Sequence, residues 1–321
     1  MKYVERRAIH GLLLLLGVSV LCFVFGALAP GNFFDEMKLN PQISPATVAA
    51  LRSQYGIDQP LPLRYVRWVK SVARGEWGYS FAYNCPVKDL LLVRARNTLL
   101  LTSLATLFAW LIAVPLGVWT ANRRGRWDDR LGMAGTSLLL SVPELVIALG
   151  LLYGVVRTHA LPVGGMVSVG FDSLGSKAKL VDLISHLVIP VTTLVLASLP
   201  LLVRHIRASM IEVLQASFVQ AARAHGVKGT RLLFRYALPA AANPLSSLFG
   251  LSVGGLLSGS LLVEVIMGWP GLGPLLLEAA MARDIYVVVG AVMASTFFMI
   301  VGSILADVLL VVVDPRIRMA S

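Results

Sequence analysis

The chain has 321 residues, of which 57% are hydrophobic and only 14% charged, and it carries a formal net charge of +11. A soluble domain has far more charge, so this composition belongs in a bilayer. The basic excess is arranged by loop and not as a nucleic-acid surface: fifteen Lys and Arg residues occupy one set of loops and termini, against four in the short loops of the other set. The fifteen are Lys2, Arg6 and Arg7, then Arg123, Arg124, Arg126 and Arg130, then Arg204, Arg207, Arg223, Lys228, Arg231 and Arg235, then Arg316 and Arg318; the four are Arg157, Lys177, Lys179 and Arg283. This positive-inside asymmetry places both termini in the cytoplasm and excludes nucleic acid as a partner.

The first span is Ile9 to Ala29, close to the ~20 residues that cross the hydrocarbon layer. Ala27-Leu28-Ala29 imitates a signal-peptide cleavage site, but Pro30 follows, and the run reads as a retained helix. Cys22 in this span and Cys85 in the loop beyond it lie at different depths, which argues against a disulfide or a metal site. Residues 30–97 form an extracytoplasmic loop or cap. Within it Ser44-Pro45-Ala46 opens a helix whose Val48, Leu51 and Tyr55 share a face, and Leu63 to Val72 puts Tyr65, Trp68, Val69 and Val72 together. Trp68, Trp77 and Tyr79 suit a membrane interface. The loop is either a cap packed on helix ends or a surface that meets substrate.

Spans two and three are 98–121 and 131–156, joined by the basic hairpin Asn122 to Arg130. Pro115 and Pro143 fall inside them, which membrane helices tolerate when neighbours satisfy the freed carbonyls. Glu144 beside Pro143 would cost about 2.5–3.5 kcal/mol if it faced lipid, so it belongs on a bundle interior or an aqueous path. In the next loop, Gly170 to Lys177 superficially resembles a phosphate loop, but Ser176 stands where the Lys should be and no strand precedes it. Span four is 183–203 with His186 and His205 near its ends, read as hydrogen-bonded interface residues. Span five is 244–267, where Gly250, Gly254, Gly255 and Gly259 offer a small-residue surface for close helix approach. Glu264 to Asp284 is too broken by Pro and Gly to span anything, and Leu275 to Met281 either lies flat at the outer surface or lines a translocation mouth. Span six is 285–313, with Asp307 near its cytoplasmic end, and 314–321 is a cytoplasmic tail. The expected architecture is an all-α integral membrane protein of six transmembrane helices. Glu144, Glu264, Trp269 and Asp307 are its candidate translocation-pathway residues.

Between spans four and five, Phe218 to Pro239 is too polar to cross and too short for a domain. Leu214, Phe218, Ala221 and Ala222 are predicted to share one side of a short helix that Gly226 ends in a left-handed conformation. Seated in a cytoplasmic partner's groove, such a helix converts the partner's motion into tilting of the adjoining spans. An interfacial helix bound to anionic lipid through Arg223, Arg231 and Arg235 is the competing reading. No Walker A, His-Glu-x-x-His or Gly-x-Ser-x-Gly sequence is present, so the chain is expected to be no enzyme and to need no cofactor, with any ATP hydrolysis done elsewhere.

The triplet Gln220-Ala221-Ala222, then Gly226, then Leu238-Pro239 resembles the loop by which permease subunits of type I ABC importers grip their ATPases. Further matches follow in order: Gly56 to Pro62, Gly75 to Ser80, Glu264-Val265 with Trp269 to Gly273, Arg283-Asp284, and Asp314-Pro315-Arg316. Together they are similar to the dipeptide, oligopeptide and nickel branch of binding-protein-dependent ABC importers over nearly the whole chain. The resemblance implies a permease for peptides or similar small solutes in a bacterial-type inner membrane. It also implies a second homologous permease, two cytoplasmic ABC ATPases and an extracytoplasmic solute-binding protein. The coupling residues it implies are Phe218, Gln220, Ala221, Ala222, Arg223, Gly226, Leu238 and Pro239. Gln220 replaces the usual Glu and Tyr236 a branched aliphatic, which puts an ion pair from position 220 in doubt while leaving a hydrogen bond available. The alternative is a self-contained ion-coupled carrier or channel built on Glu144, Asp307 and His186.

Overall fold

A computed structural model of the protein describes residues 2–28 and 59–313 together with positions 37, 44, 46 and 48. Most of the helix expected to start at Ser44, the Asp307 side chain and the tail 314–321 lie outside the described residues. The chain is mostly helical. Among the described residues five helices are long and apolar enough to cross a membrane, and six spans result if one bent pair counts as a single crossing.

The elements run in order as α1 (Lys2–Leu28), α2 (Leu61–Ala73), a small hairpin of β1 (Tyr79–Ser80) and β2 (Cys85–Pro86), and α3 (Val87–Asn122). Next come α4 (Trp127–Ser141), α5 (Glu144–Thr158), α6 (Ser176–Gln215), α7 (Ser217–Ala224), α8 (Gly229–Leu232), a π turn at Leu233–Ala237 and α9 (Leu238–Ala240). The long α10 (Ala242–Ile266), the short α11 (Leu272–Met281) and α12 (Ile285–Val313) close the fold.

The expected single helix over 131–156 is instead the pair α4 and α5, bent by 94°. The cause is local. Pro143 forces the residue before it out of the helical region, and Val142 accordingly adopts ψ 120°. Helix α6 outgrows its predicted span: its 40 residues make a rod of about 60 Å, roughly twice the hydrocarbon thickness. Its excess length carries Arg204 and Arg207 beyond the apolar stretch.

The chain forms two compact units, Met1–Thr98 with Pro270–Phe298, and Leu99–Trp269 with Met299–Ser321. In the first, the face predicted for α2 is buried: Trp68 and Phe23 pack with Val289, and Tyr65, Val69 and Val72 close around them. The Phe23 ring lies 5.0 Å from that of Trp68 and 5.3 Å, edge to face, from that of Tyr65. The aspartate of the Arg283-Asp284 match also has its reason here. Asp284 is buried, and its Oδ2 accepts hydrogen bonds from Ser80 Oγ at 2.8 Å, Phe81 N at 2.9 Å and Ala82 N at 3.3 Å, pinning the hairpin to the head of α12. Nearby, burial and the Glu278 carboxylate to which it donates push the Tyr83 phenol well above its usual range. The segment after Trp269 is tied to α3, with Asn97 Nδ2 donating to Pro270 O and Leu272 N to Thr98 Oγ1, each at 2.8 Å.

The second unit is built around α6, which packs on α4, α5 and α10 and buries Leu194, Leu202, Ile206 and Met210. Helices meet closely where glycine leaves room. A Cβ at Gly117 would lie 2.6 Å from Ile206 Cγ2, and one at Gly302 would lie 2.4 Å from Val253 Cγ1. Close approach of α10 and α12 therefore depends on the glycine of α12 as well as on the predicted series in α10, where Gly254 meets Met299 and Gly255 faces open space. Exposed Leu107, Leu111, Leu138 and Leu251 give the outward apolar surface that lipid requires.

Candidate functional site

The stretch from Phe218 to Pro239 is helical and anchored. Helix α6 stops because Ala216 turns extended at ψ 145°, and α7 restarts at Ser217 with a new rotational phase. The side that packs inward is consequently not the predicted one. Val219 is fully buried, with Ala222 half-buried against the same core, whereas Phe218 is 50% exposed and Ala221 is also exposed. Leu214 is buried too, but it belongs to the preceding helix. Sequence reasoning missed Val219; the signal was its spacing of three from Ala222, visible only once a break at Ala216 is allowed.

The C-terminus of α7 is a complete Schellman motif. Gly226 has φ +86°, its N–H donates to Arg223 O at 3.0 Å, and Val227 N donates to Ala222 O at 3.1 Å. Val227 and Ala222 both pack against the core, which supplies the apolar contact that accompanies this cap. Nothing lies within 4 Å of a Cβ built at Gly226, so glycine is required here by backbone conformation and not by space.

Gln220 has a use that a glutamate lacks. Its Nε2 donates at 2.8 Å to the carbonyl of Leu214, one of the carbonyls that the end of α6 leaves without an intrahelical partner. Further on, Leu232, Leu233 and Ala237 are buried and Tyr236 and Leu238 pack beside them, while Pro239 is exposed at the start of α9. The aromatic at 236 thus fills core space. Arg207 of α6 grips Asp129 of α4 in a two-pronged pair, Nε to Oδ1 and Nη2 to Oδ2 each at 2.8 Å, and Gly125 N caps the same carboxylate at 2.9 Å. Arg123 pairs with Asp128 next door. Arg123 thus closes the α3–α4 hairpin on itself, while Arg207 and Arg204, which donates to Ser137 Oγ at 2.6 Å, hold α4 to α6.

Glu144 opens α5 at the 94° bend, half-buried, and its oxygens lie 3.3 and 3.5 Å from where a Cβ at Gly259 would stand. Gly259 thus makes room for a carboxylate. Among the described residues, its buried Oε1 has no hydrogen-bond partner. Glu264 and Trp269 are fully buried at the end of α10, with Trp269 N bonded to Glu264 O at 2.8 Å. That bond brings these two together. His186 is buried and bonds the Asp182 carbonyl through Nδ1 at 2.8 Å, a structural role. Gly170 to Lys177 makes a short 3-10 turn and the start of α6, with no strand before it.

The sequence profile described as the inner membrane component of binding-protein-dependent transport systems matches residues 113–319, and that of its N-terminal part matches residues 1–102. The chain belongs to this family. The permease is 33% identical to the oligopeptide transport system permease protein AppB of Bacillus subtilis, over 98% of both chains. It is equally 33% identical to the probable D,D-dipeptide transport system permease protein DdpB of Escherichia coli, over 97% of this chain and 96% of the other. The glutathione transport system permease protein GsiC of Salmonella paratyphi A is 33% identical over 90% of this permease and 89% of its own length. The fold is shared with a chain of the inward-facing MetNI methionine ABC transporter, at a TM-score of 0.54 and 16% identity, covering 70% of this permease and 96% of that chain. The protein is an inner-membrane permease subunit of an ABC importer. ATP hydrolysis in this family is the work of separate subunits, which sets aside the self-contained carrier.

Proposed function

We propose that this permease forms half of a heterodimeric peptide importer and that α7 is the foot on which a cytoplasmic ATPase pushes. Two ATPases, a second homologous permease and an extracytoplasmic binding protein complete the machine. Both termini and the segment Ser217 to Ala240 face the cytoplasm, the basic loops being on that side, and residues 30–97 face outward. Peptides are the favoured cargo because relatives along the whole chain are named as oligopeptide, dipeptide and glutathione permeases.

The observation that carries the coupling role is the division of α7. Val219 and the Gln220 bond fasten it to α6, while Phe218, Ala221 and Arg223 remain exposed on it. An exposed aromatic beside small residues, on a helix rigidly tied to a long span, suits a partner's groove. Leu238 and Pro239 then deliver the chain into α10. Glu144 is proposed to border the path, where its carboxylate meets the cargo's amine, with Glu264 and Trp269 shaping the packed end and Asp307 nearer the cytoplasm. The test is Gly226→Trp in the assembled transporter. Insertion stays intact, and uptake separates from substrate-stimulated ATP hydrolysis; normal uptake with normal stimulation would count against the foot.

A further inference from the structure

Two cavities in the unit that contains α1, α2, the hairpin and the heads of α3 and α12 share Trp77 and Lys88 in their walls. The first, of about 610 Å³, is polar: Arg64, Arg67 and Lys88 line it together with Glu76 and Asp89. The second, of about 540 Å³, is almost wholly apolar, with Leu15 from α1, Leu91 and Leu92 from α3, and Met293 and Phe297 from α12. All three of those helices are long and apolar enough to cross a membrane. Lys88 therefore stands at the junction of a charged chamber and a greasy groove. Its Nζ lies over the turn at Gly75, 3.9 Å from where a side chain there would begin. The Arg64 guanidinium lies beside Tyr286, which lines the same chamber, and its Nε is buried with no hydrogen-bond partner among the described residues.

A soluble solute would use only the first chamber, and a hydrocarbon only the second. A molecule with a phosphate-bearing head on a long chain uses both, and the membrane supplies it. We propose that the two cavities form one site for a glycerophospholipid, with its phosphate on Lys88, Arg64 and Arg67 and one acyl chain in the groove between α1, α3 and α12. With carboxylates beside the cations, the chamber suits a zwitterionic head, whose phosphate meets the cations and whose amine meets Asp89 or Glu76; Glu76 already accepts a hydrogen bond from Ser71 Oγ at 3.3 Å. Such a lipid would fasten the α2 cap to the spans in that leaflet.

The test is native mass spectrometry of the full permease, copurified with its partners in mild detergent and supplied with phosphatidylethanolamine. One lipid per permease is retained, Lys88→Gln weakens retention about fivefold, and Ala294→Trp, at a residue of the groove wall, fills the groove and removes it. Lys88 is exposed, so its variant folds and tests the site even if the groove variant does not. Inorganic phosphate and glycerophosphoethanolamine, which carry the head without the chain, fail to compete. Equal retention in wild type and both variants overturns the proposal, as does displacement by either chain-free compound, which would make the chamber a solute site. A cross-link from Ala294→Cys to the sister permease overturns it too, because a protein helix would then cover the groove.

Discussion

Gln220→Glu changes one amide to the carboxylate usual at this place in the coupling loop, with nearly the same volume and helix propensity. In the structure Gln220 Nε2 donates to Leu214 O at 2.8 Å, and an ionised carboxylate has nothing to donate. The lost bond is worth about 0.5–1.5 kcal/mol. The new charge sits near the negative end of α6 and also near the positive end of α7, two effects of about 0.3–1 kcal/mol and opposite sign that largely cancel. The net result is about 1 kcal/mol against the docked α7, or roughly a fivefold rise in its detached population. Hydrogen exchange reads this directly. The Val219 and Gln220 amides, which donate to Ala216 O at 3.1 Å each, should exchange about fivefold faster in the variant, while amides in the middle of α6 stay unchanged. Gln220→Ala should resemble Gln220→Glu, since both remove the same donor. Wild-type exchange in both variants would refute the assigned role of Gln220.

Three other outcomes follow from packing. Gly302→Ala drives a methyl to within 2.4 Å of Val253 and should destabilise by about 1–3 kcal/mol in thermal unfolding; adding Val253→Ala should recover most of the loss. Asp284→Ala strands the donors of Ser80, Phe81 and Ala82, and limited proteolysis should then open the chain at residues 79–86 with wild-type cutting elsewhere. Glu144→Gln keeps the shape beside Gly259 but removes the carboxylate proposed to meet the cargo's amine, so uptake should fall about tenfold while basal ATP hydrolysis in reconstituted membranes persists.

The parts of the fold that sequence revealed are those governed by short-range periodicity. Tyr65, Trp68, Val69 and Val72 share a helical face by spacing alone, and they are the residues packed with Phe23. The 94° bend was hidden because proline inside a membrane helix is often tolerated; what decides it is the extended Val142 before Pro143. Val219 was missed for a related reason, since the break at Ala216 resets the helical phase and no composition signal marks it. Long-range partners lie beyond any local pattern. Ser80 and Asp284 are 204 positions apart, and Gly259 reads as a generic small residue until Glu144 is found against it. The use of Gln220 depends on where α6 ends, which its neighbours in sequence do not announce.

The most direct test of the coupling account places one cysteine at Phe218 in a permease whose Cys22 and Cys85 have been replaced, and assembles it with its ATPases. A short cross-link from position 218 to an ATPase subunit is expected, formed at a rate that changes when nucleotide binds. Labelling of that cysteine by a membrane-impermeant thiol reagent added from the outer face, with no cross-link to the ATPase in any nucleotide state, would contradict it.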